Sequence, residues 1–370
     1  MRGVYGVYIA VPFCAQKCTY CNFASSVLPR ALLDEYLAAL ETELAAEGWA
    51  EPPDTLYLGG GTPSLLEEAA LRGIVERLPR VEWSEATIEV SPGTVTADRA
   101  ALWKELGFDR VSLGVQSFVA REIAATGRKH SARQVEEEVG ALRGAGFSKI
   151  NIDLIAGLPY QSRESWRESL DWVERISPPH VSAYMLEEDE DSRLGREILS
   201  GGSRYGARAV PDEEQIAEYY LEAVARLECL GLRRYEISNF ARPGFESRHN
   251  LKYWRREPYR GFGADAHSFD GRRRWWNVET AAEYVERFRG GRSPVESSGE
   301  LSPRQSMEEH FFVGLRQAEG IEPAEEEWET FAEPIRRLAD DGLLERGGGR
   351  LRLTDRGTMV SNLVFQEFIN

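Results

Sequence analysis

The chain is poor in cysteine and in long apolar segments, and its 45 basic residues are outnumbered by 61 acidic ones; each feature argues against a class of protein. Four cysteines in 370 residues make a poor disulfide framework, because three of them lie too close together to pair freely. No apolar run approaches the ~18–20 residues that cross a bilayer. The net charge of −16 would repel a phosphate backbone, so we expect no nucleic-acid partner. A strand-like run begins at once, without the basic and apolar segments of a secretory leader, which predicts a cytoplasmic protein.

The composition and periodicity indicate a large α/β unit with a smaller unit beside it. A hydrophobic content of 42% allows a sizeable core, and 370 residues exceed one ordinary domain. Six strand-like runs alternate with helix-like runs, which predicts a parallel sheet of six β/α repeats. The predicted strands are 4–13, 55–58, 87–90, 110–115, 149–155 and 180–186, and the predicted helices are 32–47, 65–78, 97–106, 118–125, 131–145 and 162–176.

The β/α pattern stops after residue 187 and a different organisation follows. A polar connection leads to a predicted helix at 212–230, and residues 235–298 are too irregular to assign. From residue 301 the pattern predicts helices near 304–318 and 324–340, then a glycine-joined hairpin at 342–353 that resembles the wing of a winged helix. We therefore expect three segments: 1–190, 191–300 as a connecting region, and 301–370 as a packing or docking unit.

Three cysteines stand in eight residues, Cys14, Cys18 and Cys21, in the spacing C-x3-C-x2-C. Thiolates are soft ligands, and three of them on a short loop can hold one iron–sulfur cluster. A cubane cluster held this way keeps one iron free to bind a further ligand. A structural zinc loop is the alternative, but zinc usually has a second ligand pair, and no paired Cys or His follows. Cys229 is expected to be a buried small side chain late in a helix.

Glycine, charged and amide residues lie where several predicted strands end. The run of residues 59–64, Gly-Gly-Gly-Thr-Pro-Ser, follows the second strand, and its glycines let a ligand approach the backbone. Glu89, Gln116, Arg128 and Asp153 lie at or just beyond other strand ends. A tight turn or a structural side chain is the alternative for each feature taken singly. Because the carboxyl ends of parallel strands share one edge, the set together favours a ligand site.

One later segment joins an imidazole to two aromatic rings, in the order His249-Asn-Leu-Lys-Tyr253-Trp254. Imidazole ligates iron, and aromatic rings stack on flat macrocycles. A hydrogen-bonded histidine in a packed loop is the interpretation that chemistry alone favours, because histidine is so adaptable. His267 is a second candidate ligand with the same alternative.

Together these motifs resemble the radical S-adenosylmethionine (SAM) superfamily, and within it the oxygen-independent coproporphyrinogen III oxidase-like group. In that superfamily C-x3-C-x2-C holds a [4Fe–4S] cluster, whose open iron takes the amino and carboxylate groups of SAM. The resemblance covers nearly the whole chain. It implies a partial (β/α)6 TIM-like barrel with a C-terminal helical, winged-helix-like domain. Matched by motif, the residues implied for the SAM site are Tyr8, Tyr20, Gly60, Gly61, Thr62, Glu89, Gln116, Arg128 and Asp153.

Two features indicate which subgroup of this family the chain resembles. The oxidases have a further cysteine two positions after the third and a longer leading segment, whereas here Phe23 takes that position and seven residues precede Tyr8. The later histidine motif is similar to the H-N-x-x-Y-W signature of the HemW-type haem chaperones, which bind haem and deliver it to respiratory haemoproteins. On this resemblance His249, Tyr253 and Trp254 are the expected haem-binding residues.

The resemblance therefore implies a haem chaperone whose bound groups are a [4Fe–4S] cluster, SAM and haem. Its expected partners are a haem-acceptor protein and an electron donor, while a membrane-associated acceptor and a homodimer stay open. The competing function is the oxidase itself, a radical SAM enzyme that decarboxylates coproporphyrinogen III. Whether SAM is cleaved is left open by the sequence.

Overall fold

A computed structural model of the chain describes residues 5–25, 27, 29–49 and 51–369. Six β/α repeats form its centre, as the alternation predicts. The strands are β1 (Gly6–Val11), β2 (Thr55–Gly60), β3 (Glu85–Val90), β4 (Arg110–Gln116), β5 (Lys149–Ala156) and β6 (His180–Met185). The helices are α1 (Arg30–Ala46), α2 (Glu68–Glu76), α3 (Ala97–Glu105), α4 (Ala120–Thr126), α5 (Ala132–Gly144) and α6 (Arg163–Ile176). Val4, the first residue of the predicted first strand, lies outside the described residues.

The region from 187 to 300 extends both edges of this sheet. Its unassigned part folds into short strands and helices instead of one long loop. In chain order the elements are α7 (Arg193–Leu199), α8 (Glu213–Cys229), β7 (Arg233–Arg234), β8 (Asn239–Ala241), α9 (Arg248–Trp254), β9 (Tyr259–Phe262), β10 (His267–Phe269), β11 (Arg273–Asn277), α10 (Ala281–Arg289) and β12 (Val295–Glu300).

Among the described residues the main sheet has twelve strands, in the order β12-β11-β10-β9-β1-β2-β3-β4-β5-β6-β8-β7. Strands β9 and β1 to β6 are parallel to one another. Antiparallel strands flank this parallel part, with β8 on β6 and β10 on β9. Because both edges are occupied, the parallel strands do not close on themselves, which agrees with a partial barrel.

Side chains alternate along the parallel strands between two faces, as the period of two requires. Leu56, Leu58 and Ile88 are buried in the core that the sheet forms with its surrounding helices. The opposite face is polar, and many of its side chains hydrogen-bond across strands. We call it the inner face; it carries Tyr8, Thr55, Tyr57, Glu85, Glu89, Arg110, Ser112, Asn151, Asp153, His180 and Ser182.

A second hydrophobic core lies in the last part of the chain. Phe311, Phe331 and Phe368 meet at its centre, with ring centroids 4.5 and 4.6 Å from Phe311. The hairpin of β13 and β14 is the predicted wing. The elements are α11 (Pro303–Gly314), α12 (Glu325–Thr330), α13 (Ala332–Asp340), β13 (Leu344–Gly347), β14 (Arg350–Leu353), α14 (Asp355–Met359) and α15 (Ser361–Gln366).

Two local predictions differ from the structure. The single helix predicted at 324–340 is instead α12 and α13, broken at Phe331, because the ring of Pro334 would clash with the carbonyl four residues earlier in a continuous helix. Cys229 is exposed, so its predicted burial is wrong. The buried face of α8 includes Leu227, and a residue two positions later lies about 200° around the helix from it. The division at residues 190 and 300 stays a prediction.

The described residues contain no helix with both the length and the apolar character needed to cross a membrane.

Candidate functional site

The cysteine loop, residues 14–21, follows the carboxyl end of β1. Its base is held by the glycine turn after β2. The Thr62 amide donates to the Phe13 carbonyl (2.8 Å), and the Thr62 hydroxyl donates to Cys14 Sγ (3.5 Å). A Cβ on Gly61 would lie 2.6 Å from the Val11 carbonyl oxygen, so this close approach requires glycine. The glycine turn therefore positions the first cysteine.

The three thiols of the loop are half-buried, and none is in a disulfide. Tyr20 and Arg128 both hydrogen-bond to Cys18. Burial raises the pKa of the Cys21 thiol, an effect that a bound metal reverses by displacing the proton. Within the part of the chain that the structure describes, no three Cys, His, Asp or Glu side chains are close enough to share one metal ion. A cubane cluster does not need three side chains on one metal ion, because each thiolate binds a different iron. The three thiols of the loop therefore fit the ligands that a cubane cluster needs.

Glu89 lies on the inner face beside the glycine turn. Its carboxylate accepts hydrogen bonds from the Tyr57 hydroxyl (2.9 Å) and from the Gly60 amide (3.1 Å). The Tyr8 hydroxyl lies 3.1 Å from the position that a Cβ on Gly60 would take. Burial raises the pKa of Glu89 to about 7, so near neutral pH the carboxyl is divided between its neutral and ionised forms. A cationic ligand would favour the ionised form.

Three more of the expected SAM residues come together around Gly114. The Arg128 guanidinium donates to the Gly114 carbonyl (2.8 Å), and Gln116 Nε2 lies 3.0 Å from the position of a Cβ on Gly114. Gln116 has a left-handed backbone φ of 72°, which is uncommon outside glycine and occurs at ligand sites. Asp153 accepts a hydrogen bond from Asn151 (2.6 Å), and burial raises the pKa of Asp153.

The Nε–H of Arg128 is buried and has no acceptor among the described residues. A buried donor without a partner costs free energy, so this atom marks a place for an acceptor from a ligand. SAM carries a carboxylate for such a donor, and its ammonium and sulfonium charges suit Glu89 and Asp153. The expected SAM residues thus lie at one edge of the sheet, and their chemistry fits SAM.

Sequence reasoning missed the rest of the polar inner face. Tyr57 bonds to Glu89, and Asn151 bonds to His180 Nδ1 (2.7 Å) and to Ser182 (3.0 Å). The signal was present, because strands such as Thr-Leu-Tyr-Leu and His-Val-Ser-Ala alternate polar and apolar residues. Alternation in a sheet covered by helices on one side predicts a polar cavity on the other.

The His249 motif lies at the opposite edge of the sheet from the cysteine loop. His249 is fully buried, with Nδ1 bonded to the hydroxyl of Thr55, the first residue of β2 (2.9 Å), and Nε2 bonded to the hydroxyl of Tyr253 (2.8 Å). Burial lowers the pKa of His249 to about 3. Trp254 is half-buried under the Arg316 guanidinium, 4.5 Å from the ring centroid. In this arrangement neither nitrogen can ligate iron unless Tyr253 or Thr55 moves, and the haem role of the motif stays a prediction.

Comparison with known proteins places these features in a family. The model of the radical SAM superfamily matches residues 8–173, and that of the HemN C-terminal domain matches residues 301–360. The chain is 32% identical to the heme chaperone HemW of Bacillus subtilis, with 98% of each chain covered. It is 34% identical to the heme chaperone HemW of Mycobacterium tuberculosis, covering 99% of this chain and 95% of the relative.

Among solved structures, coproporphyrinogen III oxidase (HemN) from Escherichia coli, described as a radical SAM enzyme, matches with a TM-score of 0.85. The match covers 99% of this chain and 90% of that chain at 23% identity. At this identity the likeness shows the fold, and it confirms a partial barrel with a C-terminal helical domain.

Proposed function

Because the chain belongs to the HemW haem-chaperone family of the radical SAM superfamily, we propose that it binds haem and transfers it to an acceptor haemoprotein. The observation that carries this proposal is the full-length similarity to two heme chaperones, joined to a site whose residues fit a cluster and SAM. Haem is the cargo in this proposal, and the cluster and SAM are resident groups.

In the proposal each set of residues has a separate task. Cys14, Cys18 and Cys21 hold a [4Fe–4S] cluster, which when bound can pass an electron from a donor protein to SAM. Glu89 holds the cationic part of SAM, and Arg128 holds its carboxylate. SAM held by these residues would supply either a sulfonium bond that an electron can cleave or a ligand that regulates haem release.

The competing function is oxidation of coproporphyrinogen III. The likeness to the oxidase shows the fold alone and does not favour this activity. Phe23 stands where the oxidases have a further cysteine, and its side chain is 67% exposed beside the cysteine loop. We therefore propose that no porphyrinogen is decarboxylated.

One preparation can test both functions. The cluster is reconstituted anaerobically, and the same sample is divided between a haemin titration, haem transfer to an apo-haemoprotein, and incubation with coproporphyrinogen III, SAM and a reductant. We expect saturable haem binding, transfer to the acceptor and no porphyrinogen consumption. Release of CO2 in proportion to porphyrinogen would contradict the proposal, as would a failure to bind haem.

A further inference from the structure

The inner face does not end at β1 but continues onto the strands beyond it. In the register of β1 and β9, Tyr8 lies opposite Gly261. The antiparallel pairing of β9 with β10 brings His267 beside Gly261, and His267 lies directly opposite Trp276 of β11. Residues opposite each other in a sheet project from the same face. The row that contains Tyr8 therefore includes the pair His267–Trp276 and reaches the edge strand at Ser297 of β12.

This pair is exposed and its rings are parallel. The imidazole of His267 stacks on the indole of Trp276 with centroids 5.6 Å apart and 17° between planes, and Trp276 is 37% exposed. No hydrogen bond to the His267 ring is present in the described part of the chain. Partial desolvation and Arg274 lower the pKa of His267, although Asp265 opposes this shift. A neutral imidazole with open nitrogens is the form that ligates iron.

The other four histidines are engaged in the fold. His180 and His249 are buried, and each has both ring nitrogens bonded. His130 is buried, and its burial lowers its pKa to about 4. His310 is half-buried and joined through Nδ1 to Glu327 (2.9 Å), which also accepts a hydrogen bond at the start of α12. Among the described residues His267 is the one exposed histidine, and neither of its ring nitrogens is hydrogen-bonded, whereas His310 is half-buried with Nδ1 bonded and His130 is buried.

We propose that His267 supplies the axial nitrogen for haem and that Trp276 packs along the macrocycle. This inference rests on the proposed function, and it places haem on the inner face beside the SAM residues instead of at α9. Imidazole is a common axial ligand of haem iron, and indole adds apolar contact area. An open site suits a carrier, because an acceptor can approach the bound haem without the carrier unfolding.

A haemin titration of the full-length reconstituted protein tests the assignment. His267→Ala should shift the Soret band and weaken haem binding at least about tenfold, the loss that metal sites show when even a partner of a ligand is removed. Trp276→Ala should weaken binding about fivefold with a smaller spectral change, because it removes packing and no ligand. Cluster content and SAM binding should stay unchanged in both variants.

Two matched controls keep the test specific. Trp275 is the neighbour of Trp276 on the opposite face of β11, under the Arg260 guanidinium, and Trp275→Ala should bind haem as the wild type does. His310→Ala removes another half-exposed imidazole and should also leave the spectrum unchanged. Adding free imidazole to His267→Gly should restore the Soret position, which a purely structural role would not allow.

The results of these titrations distinguish a wrong ligand assignment from a wrong proposed function. If His249→Ala loses haem while His267→Ala keeps the wild-type spectrum, the ligand lies on α9 and this assignment is wrong. If both variants bind haem normally, haem binding stands but neither histidine is the ligand. If the wild-type protein takes up no haem, the proposed function itself is overturned, and the assignment of His267 with it.

Discussion

At the scale of single residues, the buried carboxyl group of Glu89 beside the glycine turn allows a prediction of how SAM affinity depends on pH. The pKa of Glu89 is raised to about 7 by burial, whereas the positive charges of SAM favour its ionised form. SAM affinity should therefore rise between about pH 6 and 8, by up to about tenfold per unit below the pKa, and level off above it. Calorimetric titration of the reconstituted protein with SAM would measure this profile.

Glu89→Gln is the control for that profile, because it keeps the side-chain shape and removes the titrating group. This variant should bind SAM more weakly and with little dependence on pH. A slope that survives the substitution would exclude Glu89 as the titrating residue. Asp153, whose pKa burial also raises, would then be the next residue to replace.

The cysteine assignment makes a second residue-scale prediction. Replacing Cys14, Cys18 or Cys21 with Ser should abolish the broad absorbance near ~400 nm that thiolate-bound cubanes show. Cys229→Ser is the matched control, because that thiol is exposed at the end of α8. A cluster that needed Cys229 but not Cys14 would contradict the assignment.

Residues differ in how far sequence alone could assign them. A cluster-binding role for Cys14, Cys18 and Cys21 can be predicted from sequence, because thiolate ligation of this kind depends on a local spacing. The surroundings of His249 are not, because its Nδ1 partner Thr55 is 194 positions away in the chain. Burial and hydrogen bonding of a single side chain depend on such distant contacts, which a motif does not encode.

At the scale of elements, α9 is anchored by a buried ion pair. Arg110 and Glu85 are 2% and 0% exposed and lie 2.9 Å apart. Arg110 donates to the carbonyl of Phe245 (2.7 Å), and Glu85 accepts from the amide of His249 (3.2 Å). The pair therefore joins β3 and β4 to the segment that enters α9, and it holds the motif helix against the edge of the sheet.

Breaking this pair should destabilise the protein strongly. Glu85→Gln leaves the Arg110 charge buried without a counter-ion, and removal of one partner of a buried pair costs about 3–5 kcal/mol. Urea unfolding followed by circular dichroism would measure the loss. The double variant Glu85→Gln, Arg110→Met removes both charges and should recover part of it. A Glu85→Gln variant as stable as the wild type would show that the pair does not anchor α9.

Elements with a clear period were predictable, and short ones were not. Strands β1 to β6 follow from strand-like runs that alternate with helix-like runs, whereas the short strands β7 to β11 carry no period of their own. Their formation depends on pairing with distant strands, as Gly6 of β1 pairs with Tyr259 of β9. Local chemistry still decides some boundaries, since Pro334 accounts for the break between α12 and α13.

At the scale of the molecule, two cores meet around α9. Glu309 of α11 forms a bidentate pair with Arg274 of β11 (2.6 and 2.7 Å). Gln317 donates to the carbonyl of Trp254 at the end of α9 (3.3 Å). These contacts are polar, and the two apolar clusters are separate, with Ile237 from between β7 and β8 packed in the C-terminal one. The C-terminal core should therefore be able to unfold while the cluster-bearing core stays intact.

Phe311→Ala tests this separation. The ring of Phe311 is fully buried between Phe331 and Phe368, so its removal should cost about 3–5 kcal/mol, confined to the C-terminal core. In urea, the fluorescence of Trp328, which packs on that core, should change at a lower concentration than the cluster absorbance. Phe240→Ala is a matched truncation in the main core. It should instead lower the urea concentration at which the cluster absorbance is lost. If both variants shift both signals together, the two cores unfold as one cooperative unit, and the C-terminal segment is not a separate domain.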